Sequence, residues 1–189
     1  MKNTYFDVVV VAPGFEDNEK ESGLFWDTEL RLQAAIVLYE KSEVKKIIVG
    51  GGKLRKMKKS FAFLMKEYLM RRGIPENIIQ TEEYTYDTPS QFQWIKNNIE
   101  GEFDFITDPV QAGHVRELLK GFDIKDCTIL STEDILSDDE LYGTFFKYTH
   151  QSFYWRKWII REKILELFTK FFDPRGELIS RLTSKRKNN

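Results

Sequence analysis

The run from Phe6 to Gly14, FDVVVVAPG, decides the fold. Four consecutive valines between a charged residue and a Pro-Gly turn suit a strand buried on both faces, as in a parallel sheet covered by helices. The loop that follows opens at the carboxyl end of a central strand, where open α/β sheets place their ligands.

Working outward, strands and helices alternate. A polar, acidic loop, FEDNEKESG, leads to Leu24, Phe25 and Trp26. Asp27 or Thr28 can cap a helix to about Glu40, with Leu30, Ala34, Val37 and Leu38 on one face. KKIIVGGG, Lys45 to Gly52, reads as a second strand with its terminal loop, and LRKMKK as a basic connector. Ser60 can cap a helix of clear period (Phe61, Leu64, Met65, Tyr68, Leu69), which Gly73 and Pro75 stop. Asn77 to Thr81 is a short third strand. Thr88-Pro89-Ser90-Gln91 predicts an N-cap at Thr88, proline at the first helical position and a capping box closed by Gln91. A fourth strand spans Phe103 to Thr107, a helix begins between Pro109 and Gly113 and ends at Gly121, and a fifth strand lies within Lys125 to Leu130. Ser137 to Glu140 offers a further capping box. The pattern predicts an α/β fold: a three-layer, Rossmann-like parallel sheet of about five strands over residues 1–135, a helical extension over 136–182 and a disordered basic tail over 183–189.

Bulk properties narrow the function classes. The 189 residues are 41% hydrophobic and 31% charged, ordinary for a globular chain, and net charge is −1, so the whole protein has no strong pull toward nucleic acid. Charge is unevenly spread: from Phe145 onward there are 11 Lys/Arg against 4 Asp/Glu. A lone cysteine, Cys127, forms no intramolecular disulfide and no cysteine-based zinc site, and no His or Cys cluster suggests a metal. MKNTYFDVVVV reads as too short for a signal peptide and no run suits a membrane span, so the expected location is cytoplasmic, with peripheral membrane attachment open.

Candidate site residues gather at the predicted strand ends. Gly14 would wall the site. Gly50, Gly51 and Gly52 end a strand, so their backbone can approach an anion or a ribose; the alternative is a plain tight turn. Thr88 opens a helix whose N-terminus attracts anions, or only caps it. Thr107 and Asp108 follow strand four, with Gln111, His114 and Arg116 at the next helix start. A His beside an Arg at a cleft can bind phosphate or carboxylate or shuttle a proton. No nucleophile elbow and no Ser-His-Asp set is present.

The late segment FFKYTHQSFYWRKWIIREKILELFTKFF reads as helical from about Phe153 to Phe171, with Tyr154, Trp158, Leu165, Phe168 and Phe172 alternating with lysines and arginines. Its apolar face can dock on the α/β core, lie on a membrane surface or meet a protein partner.

VVVVAPG, Arg31, IIVGGG, RRGIP, Asp87-Thr88 and ITDPVQAGHVR stand in an order that resembles the YdcF/SanA/ElyC-like family of bacterial proteins, a domain family largely of unknown function. The resemblance covers roughly Tyr5 to Leu130. Gly50 replaces the family's usual Ser, and Asp87 stands where Asn is usual. Counted from Thr107, the family's His falls on Gln111 and its Arg on His114, while a small shift of register keeps Arg116 as the arginine. The resemblance implies a Rossmann-like fold, a link to envelope biogenesis and nucleotide-like ligands such as S-adenosylmethionine. The reading that follows is a small anionic, phosphate- or nucleotide-containing ligand held by Gly14, Gly50 to Gly52, Asp87, Thr88, Thr107 and Gln111. Arg31, His114 and Arg116 would neutralise its charge, with His114 and Asp108 as candidate catalytic groups. The alternative is a non-catalytic adaptor acting through the C-terminal helix at a membrane or a protein partner.

Overall fold

In the computed structural model, which describes residues 8–11, 24–41, 44–53, 57–138, 142, 153–178 and 180–181, the valine run forms β1 (Val8–Val11). Its backbone pairs in parallel with β2 (Lys46–Gly50) on one side and β4 (Phe103–Thr107) on the other, in the registers Val9↔Ile47 and Val9↔Asp104. β3 (Ile79–Glu82) and β5 (Cys127–Ser131) add in parallel at the outer edges, giving the strand order β3-β2-β1-β4-β5. The chain is thus a mixed α/β fold of helices and short parallel strands. Strand order reverses between β1 and β4, so their carboxyl ends flank the point where such sheets open a crevice.

Alternation along the strands sorts side chains to two faces. Ile47, Val49 and Ile106 share one apolar cluster with α1 (Trp26–Glu40), α2 (Phe61–Arg71) and α5 (Thr132–Leu136). Ile48, Phe103 and Phe105 share the other with α3 (Thr88–Asn98) and α4 (Ala112–Gly121). On that face Phe92 sits 5.3 Å from Phe105 and stacks at 6.4 Å on Phe122. Side chains of this size each contribute roughly 1.5–3 kcal/mol when fully buried, which is what holds the helices to the strands.

Several element ends differ from the sequence reading. Residues 76–78 form one 3-10 turn before β3, because Pro75 fixes its backbone in an extended state and its carbonyl accepts from Ile78 N–H at 3.3 Å. The N-cap of α3 is Asp87 rather than Thr88: the Asp87 carboxylate accepts from Ser90 N–H at 2.9 Å, and Ser90 Oγ accepts in return from Asp87 N–H at 3.2 Å. Pro89 therefore lies at the second helical position. α1 starts after Phe25 with no side-chain cap, and Asp27 and Thr28 lie inside its first turn. Ser137 is the residue at which α5 ends, and Tyr142, close to the expected start of the next helix, is helical; Asp139 and Glu140 of the expected capping box, like Gly14, the acidic loop and the basic tail, lie outside the described residues.

The long helix α6 (Phe153–Phe171) packs along α4. A Cβ on Gly113 would collide with the Glu166 carboxylate, and one on Gly121 with the Pro174 carbonyl. The two helices therefore run in the same direction, and at Gly121 the backbone just past the end of α6 comes as close as only glycine permits. At its start, α6 places Trp155 and Trp158 against Trp26 of α1, with ring centroids 6.3 and 5.7 Å away. Trp158 is buried and Leu165 half-buried, but Phe168 and Phe172 of the expected docking face are exposed. No helix among the described residues is long and apolar enough to cross a membrane.

Candidate functional site

Arg31 sits one turn above Asp27 on α1 and is 1% exposed, an unusual place for a guanidinium. Its Nη2 donates to Asp108 Oδ2 at 2.8 Å and to Gln111 Oε1 at 3.0 Å, with Asp27 Oδ2 at 3.4 Å. Asp108 follows β4, and its second oxygen accepts from Gln111 N–H at 2.9 Å. Asp27 Oδ1 accepts from Thr28 N–H at 2.7 Å. The i, i+4 spacing of Asp27 and Arg31 puts the pair on one helical face, and β4 brings Asp108 to it. Burial raises the Asp108 pKa above its ordinary value; the Arg31 charge and the two hydrogen bonds oppose that without cancelling it, and the nearby Glu162 carboxylate adds to the rise. Both Asp108 oxygens are thus committed inward. As a general base Asp108 would first have to release Arg31 or Gln111.

His114, one turn into α4, is also buried, with Nδ1 3.6 Å from Glu162 Oε2 of α6. Glu162 is 3% exposed, and its other oxygen accepts from Arg161 Nη1 at 2.9 Å. His114 Nε2 and the Thr107 hydroxyl are buried with no hydrogen-bond partner among the described residues. The histidine therefore sits under α6 instead of at an open cleft. Nothing in the local residue pattern marks Glu162: a carboxylate flanked by Arg161 and Lys163 in a basic helix reads as solvated.

The glycine loop does not present its amides to a ligand. Gly51 N–H donates to the Glu82 carbonyl at 2.8 Å and Gly52 N–H to the Thr85 carbonyl at 2.5 Å. The Gly51 and Gly52 carbonyls accept from the first amides of α2. A Cβ on Gly52 would stand 2.7 Å from Tyr86 Cε1, and one on Gly50 would be 3.5 Å from Glu82 Oε2. Glu82 is itself consumed: Oε1 accepts from Tyr84 and Thr85 N–H at 2.6 and 2.9 Å, and Oε2 from the Thr85 hydroxyl. These glycines fit the 83–86 turn against β2; the tight-turn reading is the one the hydrogen bonds favour.

The N-terminus of α3 is occupied likewise. The Asp87 carboxylate caps it and also accepts from Ser180 Oγ at 3.0 Å. A carboxylate already in place repels a second anion at Thr88.

Arg116 differs from the other predicted cations. It is exposed, makes no ion pair with any described residue, and lines a cavity of about 480 Å³. Pro109 and Gly113 form one wall, Glu133 of α5 another, and Trp155 and Lys163 of α6 the third. Lys163 Nζ is paired at 2.9 Å with Glu166, whose side chain also lines the cavity and whose charge that pairing offsets. The cavity lies beside the carboxyl ends of β4 and β5, one step along the sheet edge from the crevice between β1 and β4. The structure therefore separates the predicted residues: Arg31, Asp108 and Gln111 form a closed network, His114 lies beneath α6, Thr107 is buried at the end of β4 beside Ser131, and Arg116 lines an open cavity. Gly50 to Gly52, Asp87 and Thr88 join none of them.

Among the described residues no group of three or more His, Cys, Asp or Glu is placed to hold a metal ion. No protein-family model matches the chain, and neither the curated proteins nor the solved structures give a significant match.

Proposed function

We propose that the chain is a divergent YdcF/SanA-like protein with a three-layer, Rossmann-like sheet of five strands, and that it binds a small anionic molecule at the carboxyl edge of that sheet. The ligand class is phosphate- or nucleotide-containing. The observation that carries this reading is the Arg116 cavity: an exposed guanidinium without an ion pair among the described residues, beside an indole, in a space of about 480 Å³. That is within the range of small-molecule sites. A guanidinium recognises phosphate oxygens in pairs, and Trp155 supplies an apolar wall for a base or a sugar. Arg31 acts on this site indirectly: with Asp27, Asp108 and Gln111 it fixes the start of α4, on which Arg116 sits.

The test is a thermal-shift series with inorganic phosphate, nucleoside mono-, di- and triphosphates, sugar nucleotides and S-adenosylmethionine, each with and without Mg²⁺. A ligand at about 100 times its Kd adds roughly 2.7 kcal/mol, which for a chain of this size is on the order of 5–10 °C. Arg116→Ala should abolish the shift while leaving the melting temperature without ligand unchanged, because Arg116 is exposed. Flat curves for every compound, or a shift that survives Arg116→Ala, would overturn the reading.

A further inference from the structure

The exposed side of α6 carries a ridge that the fold does not use. Ile160, Ile164, Leu167 and Phe171 recur at spacings of four, three and four and are 61%, 61%, 45% and 64% exposed. The buried residues of the same helix, Trp155, Trp158, Glu162 and Thr169, form the opposite stripe. At 3.6 residues per turn the two stripes are half a turn apart. The ridge is thus the face turned directly away from the protein, where a surface helix ordinarily carries polar residues. Phe172, 74% exposed, extends it beyond the helix end.

Charge is arranged around this ridge with one sign. Arg156, Lys163 and Lys170, seven residues apart, run along one flank, and Lys157 and Arg161 along the other; all five are exposed. Both acidic residues of the helix, Glu162 and Glu166, lie on the half turned toward α4. They pair with Arg161 and Lys163 from beneath, so the outer half of the helix presents apolar side chains bordered by cations and no carboxylate. A phospholipid surface has the complementary layout: hydrocarbon below, phosphate at the level of the flanks.

We propose that α6 docks the protein on an anionic lipid surface, with Ile160, Ile164, Leu167 and Phe171 entering the headgroup boundary and the flanking cations pairing with lipid phosphates. The inference does not rest on the Arg116 cavity or on what that cavity holds; of the ridge residues and flanking cations only Lys163 also lines it.

The experiment is co-sedimentation of the full chain with vesicles of phosphatidylcholine mixed with phosphatidylglycerol, against phosphatidylcholine alone, at low and high salt. Binding should need the anionic lipid and weaken steeply as salt is added. Arg156→Gln with Lys170→Gln should lower the partition constant by roughly fivefold per charge removed. Ile164→Glu with Phe171→Glu should leave the protein in the supernatant while its thermal melt stays that of the parent, since both positions are exposed. Three results would overturn the proposal: no binding to any vesicle, equal and salt-insensitive binding to phosphatidylcholine alone, or self-association that Ile164→Glu abolishes without vesicle binding by the parent. The last would assign the ridge to a second copy of the chain.

Discussion

Arg31 and Asp108 are 77 residues apart in sequence and 2.8 Å apart in the fold. Between them they tie the first helix to the end of the fourth strand, and Asp27 and Gln111 complete the enclosure. Arg31→Met would leave two buried carboxylates without their guanidinium. Breaking a buried pair from one side costs about 3–5 kcal/mol, so the urea midpoint should fall steeply. Arg31→Lys should recover only part of it, because an ammonium cannot reproduce the planar donor set. An unchanged midpoint in Arg31→Met would show that the network does not hold the fold.

The pH dependence of stability follows from Asp108. Its pKa is raised above 3.8, chiefly by burial. The folded chain therefore keeps this proton at pH values where the unfolded chain has lost it. Stability from the group is present at low pH and declines as pH rises from 3.8 through the raised value. The stability of the parent minus that of Asp108→Asn should shrink across that window, read by denaturant unfolding at a series of pH values. A difference that grows with pH would mean that Arg31 outweighs burial.

Glycine substitutions separate a packing role from a ligand role. Gly52→Ala would set a methyl 2.7 Å from Tyr86 and 2.8 Å from the Thr85 carbonyl, and overpacking of this kind costs about 1–3 kcal/mol. Gly121→Ala meets the Pro174 backbone, whereas Gly113→Ala meets only the end of the Glu166 side chain. Thermal melts should rank Gly121→Ala as clearly more damaging than Gly113→Ala. The reverse order would contradict the close approach of Pro174 to the end of α4.

Asp87→Ala removes the cap of α3 and the acceptor of Ser180. A loss of about 1–2 kcal/mol is expected, and Thr88→Ala should cost much less. Equal losses would return the cap to Thr88.

Cys127 makes a chemical prediction. Burial, with a smaller push from Asp104, moves its thiol up to about 12. The thiolate is the reactive form, so a disulfide reagent at pH 8 should label the folded protein at least about a hundredfold more slowly than the denatured chain. Comparable rates would place the sulfur in water.

Local chemistry was enough to read some of this molecule from its residues. Ser60 before an apolar period predicts a capped helix, and its Oγ accepts from Phe63 N–H at 3.0 Å. The α/β alternation is equally plain in the valine run and in the stops at Gly73 and Pro75. Asp87 and Thr88 are adjacent and both suit a cap, and proline is tolerated throughout a first turn whose amides have no helical partner; sequence alone does not choose between them. The engagement of the Gly51 and Gly52 amides depends on where β3 lies, which no local pattern specifies. In α6, periodicity assigns apolar residues to the inside, yet Glu162 is buried and Ile160 and Ile164 face outward. A charge is interior there because His114 and Arg161 meet it, and that is a tertiary fact. Arg31 had one readable sign, its spacing from Asp27.

The parallel seating of α6 on α4 also sets an order of events during synthesis. His114 and the glycine face of α4 are covered by residues made some fifty positions later, so the sheet and helices α1 to α5 are synthesised before their cover exists. At about 5–20 residues per second, that interval lasts several seconds. Through it the nascent chain carries a bare helix flank, and a premature stop before Trp155 would make that exposure permanent.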